Sequence, residues 1–288
     1  MLLRMQCLPK CRVLKSPKKD RGGGYMKIRI LGCYGGQLLG FHLTSFLVND
    51  TILLDAGSPT EILTLEEQSK IQHIFLSHTH LDHIKDIAFL ADNRSLKRWS
   101  GDADAAPITI HSLQDNLDTL SEHFLNNKVW PDFTKIPTKK DGILKLQSFE
   151  SECTVQIGDV HITPIGVNHP VPCTGFLLDQ AGVQVLFTSD TGHTDRIWEV
   201  ANAQPNLRAV IIDCSFPNYC EELAEMSGHL TPKGMAKELK KLNKLGEVAI
   251  YLYHMKPETL TEMATEVEAE NIPHLRMLTQ VDEFIIEA

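Results

Sequence analysis

The chain has 288 residues, 42% of them hydrophobic and 23% charged, with a formal net charge of −9. This profile suits one large layered domain. No apolar run approaches the roughly 18 residues of a membrane span, and an acidic body argues against a long polyanion such as RNA as the main partner. Seven cysteines form no compact disulfide framework, which fits reduced thiols in a cytoplasmic protein.

Residues 1–25 hold seven basic side chains against one acidic one, a net of +6 that leaves −15 for the rest. The stretch ends in Arg21-Gly22-Gly23-Gly24 and lacks a core pattern. It is expected to be a disordered extension, or the result of a start placed upstream of Met26, with the folded domain spanning 26–288.

From Met26 the chain turns to strand character. Strand-like runs at Lys27–Cys33, Leu43–Val48, Thr51–Asp55 and Ile71–Ser77 include a hairpin about Asn49-Asp50. A helix opens at Leu81–Leu90, and Ile108–His111 reads as a short strand. Leu113, Leu117, Leu120 and Phe124 give Ser112–Asn126 a helical spacing. Residues 92–142 are expected to form a partly helical insertion over the site, with Trp99, Trp130 and Pro131 as lid or dimer residues. Strands return at Ile143–Phe149, Thr154–Ile157 and Val160–Val167, then a hairpin at Gly175–Asp179 and Val183–Thr188. Helix at Thr194–Ala203, strand at Leu207–Asp213, helix at Pro232–Leu245, strand at Glu247–His254, helix at Glu258–Asn271 and strand at Glu283–Glu287 complete the series. Thr231 and Pro232 mark one helix start as N-cap and first helical residue. Hairpins followed by strand–helix alternation predict two sheets face to face with helices outside.

The segment that decides the chemistry is His78-Thr79-His80-Leu81-Asp82-His83, directly after the apolar run ending at Ser77. Imidazole nitrogen and carboxylate oxygen are ligands for zinc and other borderline divalent metals. His78 and His80, two apart at a strand end, point the same way and can hold one ion, while Asp82 and His83 aim at a second. Three later strands end in related groups: Val167-Asn168-His169-Pro170, Thr188-Ser189-Asp190-Thr191-Gly192, and Tyr253-His254. Gly228-His229-Leu230-Thr231-Pro232 places another imidazole, with an unperturbed pKa near neutrality, ahead of a helix. Asp213 closes an apolar strand as a partner for it or as a buried structural carboxylate.

These four ligand segments, in this order, resemble the metallo-β-lactamase superfamily over roughly Met26 to the C-terminus. The resemblance implies a four-layer αββα sandwich. It also implies two divalent ions, zinc with manganese or iron as alternatives: one on His78, His80 and His169, the other on Asp82, His83 and His254, with Asp190 between them. Leu81 and Ile84 around the motif, together with Leu53-Leu54-Asp55-Ala56-Gly57-Ser58 and Pro170-Val171-Pro172-Cys173-Thr174-Gly175-Phe176, are similar to class II cyclic-nucleotide phosphodiesterases. Asp86 departs from their pattern, which has a small residue there. The implied reaction is hydrolysis of cAMP or cGMP to a nucleoside 5′-monophosphate by a metal-bridging hydroxide. Asp82 would orient the nucleophile and His229 would act as general acid, with His193 a candidate substrate contact. Expected partners are thus a small cyclic nucleotide and a second copy of the chain, with neither membrane nor nucleic acid. A ribonuclease Z-type RNA 3′-end endonuclease is the alternative within the superfamily, and a non-catalytic binding subunit the alternative outside catalysis.

Overall fold

The computed structural model describes residues 25–100 and 106–287. The basic stretch lies outside the described residues except for Tyr25, which opens the first strand.

Two seven-stranded sheets make up the body. The first runs, edge to edge, Glu283–Glu287, Tyr25–Gly32, Ser45–Val48, Ile52–Leu54, His73–Phe75, Ile108–Ser112 and Leu144–Ser148. The second runs Leu275–Met277, Ala249–Tyr253, Leu207–Asp213, Val183–Phe187, Thr174–Gln180, Val160–Gly166 and Val155–Ile157. Each is antiparallel on one side and parallel on the other. The hairpin at Asn49-Asp50 forms as the sequence predicts, with φ of 48° and 62°, the left-handed pair that suits a two-residue turn.

Three apolar clusters show the layering. Phe46, Phe75, Phe176, Phe187 and Tyr253 fill the space between the sheets. Ile84, Ile87, Leu90 and Ala91 of the helix Leu81–Trp99 cover the outer face of the first sheet. Trp198, Met235, Leu239, Met263 and Val267, from three further helices, cover the second. Helix, sheet, sheet and helix are thus four layers, the metallo-β-lactamase arrangement.

The segment 92–142 differs from the expected insertion. Ile108–Ser112 is a strand inside the first sheet, and Leu117, Leu120, Leu125 and Phe133 belong to that sheet's outer cluster. The helix at Gln114–Thr119 widens into a π-helical turn at Leu120–Phe124. Trp130 donates its indole N–H to Ala88 O and packs edge-on against Phe89. Trp99 is exposed. No described helix is long and apolar enough to cross a membrane, and the five described cysteines are free.

Candidate metal centre and active site

The ligand segments gather where strands of both sheets end together. His78 to His83 follow His73–Phe75, Asp190 follows Val183–Phe187, His254 follows Ala249–Tyr253, and His169 follows Val160–Gly166. The backbone turns sharply here: Asp55, Ser189 and His254 have φ of 58°, 57° and 70°, a conformation that costs a non-glycine residue on the order of 1–3 kcal/mol. The loop carrying Gly35 lies close to the His254 ring, since a Cβ at that glycine would come within 2.5 Å of Nδ1.

All seven predicted ligands meet. His78, His80 and His169 offer ligand atoms within 4.8 Å of one another, as do Asp82, His83 and His254. Asp190 groups with His78 and His83. Its Oδ2 lies 3.1 Å from Nε2 of both His83 and His254 and 3.7 Å from Nε2 of His78.

The outer nitrogens of four of these rings are tied. Asp55 accepts from His83 Nδ1 at 2.8 Å and from both the amide and the hydroxyl of Ser77, at 2.8 Å each. The Ser77 oxygen can then accept from His78 Nδ1 at 2.9 Å. Ser215 donates to Asp213 and accepts from His254 Nδ1 at 2.9 Å. His169 Nδ1 donates to the carbonyl of Gly228 at 3.0 Å, a residue in the left-handed conformation at φ 67°. A ring whose outer nitrogen holds the proton turns a lone pair inward, as a metal-binding imidazole must.

This arrangement fits a cation. His83 and His254 direct their Nε2 atoms at each other 3.3 Å apart, which is repulsive between lone pairs unless positive charge lies between them. Nitrogens bound to zinc at about 2.0–2.1 Å in tetrahedral geometry stand about 3.3 Å apart. His78 Nε2 and Asp190 Oδ2, both fully buried, have no hydrogen-bond partner, an expense a bound ion removes.

The electrostatics agree. Burial pushes the imidazoles of His78 and His80 below their ordinary pKa, and that of His169 down to about 4, so all three are neutral at pH 7. Burial opposes ionisation of Asp82 and Asp190 too, but His83 and His254 outweigh it and hold both carboxyls below the carboxylate range. At His83, burial is overcome by Asp190, Asp55 and Asp82, and the pKa rises. A cation and that proton therefore compete for one lone pair.

His229 stands beside these groups, its ring 5.2 Å from that of His169 and stacked 5.0 Å from that of His254. Its Nδ1 is 3.0 Å from Asp213 Oδ2, so Asp213 is the partner that the sequence left undecided. Burial lowers its pKa, but Asp213 and Asp190 more than compensate and raise it. Asp86 lies apart from this chemistry, accepting from the amide and hydroxyl of Thr60 at 2.8 and 2.6 Å. Asp55 is the functional residue that sequence reasoning passed over, although an acid directly after the apolar strand Ile52–Leu54 is the same signal that marks Asp190 and Asp213.

The family model for class-II cAMP phosphodiesterases matches residues 49–267. The chain belongs to that family. It is a phosphoric diester hydrolase with a His/Asp metal site, and a 3′,5′-cyclic nucleotide is its substrate. All the ligand residues, Asp55 and His229 fall inside the matched span. A Yersinia pestis protein with the name "Probable 3′,5′-cyclic-nucleotide phosphodiesterase" is 27% identical over 279 residues, covering 79% of this chain and 77% of that protein. Ribonuclease Z of Borrelia hermsii is 26% identical over 270 residues, covering 75% and 82%. The crystal structure of unliganded yeast PDE1 aligns with a TM-score of 0.73 at 18% identity over 91% of this chain and 99% of that one, a likeness of fold. Of the readings weighed from the sequence, the class-II phosphodiesterase one is borne out by the family model.

Proposed function

We propose that this phosphodiesterase works with two divalent cations, one held by His78, His80 and His169, the other by Asp82, His83 and His254, with Asp190 between them. The observation that carries this reading is the set of tied outer nitrogens around the unpartnered His78 Nε2 and Asp190 Oδ2. Zinc suits imidazole and carboxylate donors, and manganese and iron accept the same set.

When bound, the cations supply Lewis acidity toward the phosphoryl oxygens and lower the pKa of water enough for attack near neutral pH. The chain's own residues do the rest. Asp55, Ser77, Ser215 and the Gly228 carbonyl hold the ligand rings in place, so little reorganisation accompanies binding. Asp82 is the most accessible of the carboxylates, about a quarter exposed and 3.2 Å from His254 Nε2, and it orients the incoming nucleophile. His229, kept protonated by Asp213, delivers a proton from Nε2 to the oxygen leaving phosphorus, giving a nucleoside 5′-monophosphate.

The test is turnover and metal content measured together. Metal-loaded protein is expected to hydrolyse cAMP or cGMP, to contain close to two transition-metal ions per chain, and to lose both properties on substitution His80→Ala or Asp190→Ala. Activity that survives strong chelation, with no metal found by elemental analysis, would refute it.

A further inference from the structure

Beside the metal centre lies a shallow open cleft lined by His193, Glu221, Glu225, His229, Thr231 and Gly234. His229 is in its wall. Whatever occupies the cleft therefore lies against the proposed proton donor.

His193 is held from behind. Its Nδ1 stands 2.8 Å from Oε1 of Glu238, a fully buried carboxylate. Glu238 also accepts from the Trp198 indole at 2.7 Å and the Thr194 amide at 3.3 Å, and it pairs with Lys241 at 2.8 Å. A carboxylate surrounded by four donors cannot turn freely, and it only accepts. Of the two neutral tautomers, the one with its proton on Nδ1 therefore fits this partner, and in that tautomer Nε2 presents a lone pair. The ring is 37% exposed, which leaves that edge accessible. Thr231 is committed as the N-cap of the following helix, accepting from Gly234 N. The side chains of Glu221 and Glu225 add acceptors, so the cleft favours a group that donates and repels a second phosphate.

A cyclic nucleotide whose phosphate sits at the metal centre carries one free hydroxyl next to that phosphate, the ribose 2′-OH. We infer that His193 is a substrate-binding residue whose Nε2 accepts a hydrogen bond from the ribose 2′-hydroxyl, and that it makes the enzyme selective for ribonucleotides. Glu238 is the positioning residue behind it. This inference rests on the proposed seating of the phosphate at the metal centre.

Four metal-loaded proteins should be compared on 3′,5′-cAMP and on its 2′-deoxy analogue: the wild type, His193→Ala, His193→Gln and Glu238→Gln. A buried hydrogen bond left unpaired corresponds to about 10–100-fold in kcat/KM. The wild type is expected to prefer the ribonucleotide by that factor. His193→Ala is expected to lose the preference through a higher KM on cAMP, with turnover of the deoxy substrate and metal content retained. His193→Gln, which can offer a carbonyl acceptor, should recover part of it, and Glu238→Gln should weaken it. Equal losses on both substrates would make the His193–Glu238 pair purely structural and overturn the inference, as would a wild type that does not discriminate. Hydrolysis of neither cyclic nucleotide, with bis(p-nitrophenyl) phosphate still cleaved, would overturn the proposed function along with it.

Discussion

Asp55 shows how much of a metal site lies behind its ligands. Its two oxygens hold Ser77 and His83 directly, and His78 through the Ser77 hydroxyl, so two ligand rings depend on one buried carboxylate. Partners of this kind typically contribute 10–100-fold in metal affinity. Asp55→Asn is expected to weaken binding by about that factor, because an amide nitrogen cannot accept; a chelator-competition titration would measure it. His229 makes a different prediction. General acid catalysis contributes roughly 10²–10⁴-fold, so His229→Ala should lower cAMP turnover by about that factor with metal retained. A p-nitrophenyl diester, whose leaving group needs little protonation, should be affected far less. The raised pKa of His229 sets the sign of its pH response: protonated below that pKa, it loses its donor role as pH rises through it. The seven ligands were legible because they fall in four segments that follow apolar strands. His193 was harder to read, since its role depends on Glu238, 45 residues away in the chain, and no local pattern links them.

At the level of elements, the hairpin at Asn49-Asp50 and the Thr231 cap were legible because their signals are local. The short helix Leu65–Lys70 was missed, although Thr64 and Glu67 form a reciprocal capping box at its start. Six residues hold too few turns for periodicity to register. Glu67 also accepts from Arg29 of the first strand at 2.7 Å, and this bond leads in depressing its pKa to about 2. A carboxyl whose pKa falls on folding stabilises the protein above its unfolded value, about 4.5, and loses that contribution as pH drops toward 2. Glu67→Gln should therefore lower the unfolding free energy at pH 7 by a few tenths to about 1 kcal/mol, the range for partly exposed pairs. The difference from wild type should shrink as pH falls through the folded pKa of about 2 and vanish below it, as urea titrations across that range would show. The π-helical turn at Leu120–Phe124 was not legible, because its apolar spacing matches that of an ordinary helix.

Across the whole molecule, the alternation of hairpins and strand–helix units was enough to predict two sheets with helices outside. Strand order was not, because Glu283–Glu287 pairs with Tyr25–Gly32 from the opposite end of the chain. The aromatic seam between the sheets carries much of the packing. Phe187 is fully buried, with ring centroids 5.1 Å from those of both Phe46 and Tyr253. Phe187→Ala should cost about 3–5 kcal/mol in a urea denaturation. The Tyr253 hydroxyl also donates to Asp190 at 3.0 Å, so the loss of this ring should loosen a ligand as well.

The ligands are divided between the two halves of the sandwich: His78, His80, Asp82 and His83 follow a strand of one sheet, while His169, Asp190 and His254 follow strands of the other. Cations seated among them as proposed would act as a clasp across that junction. Because they bind the folded chain and not the unfolded one, they raise its stability by mass action, about 2.7 kcal/mol per site at a hundred times the dissociation constant. Chelation should therefore lower the melting temperature by an amount that follows the logarithm of the fall in free metal, and should do so equally in a His229→Ala protein that is already slow. A protease added during chelation should cut the chain faster than one added before it, because metal starvation opens the sandwich at its rim as well as stopping its chemistry.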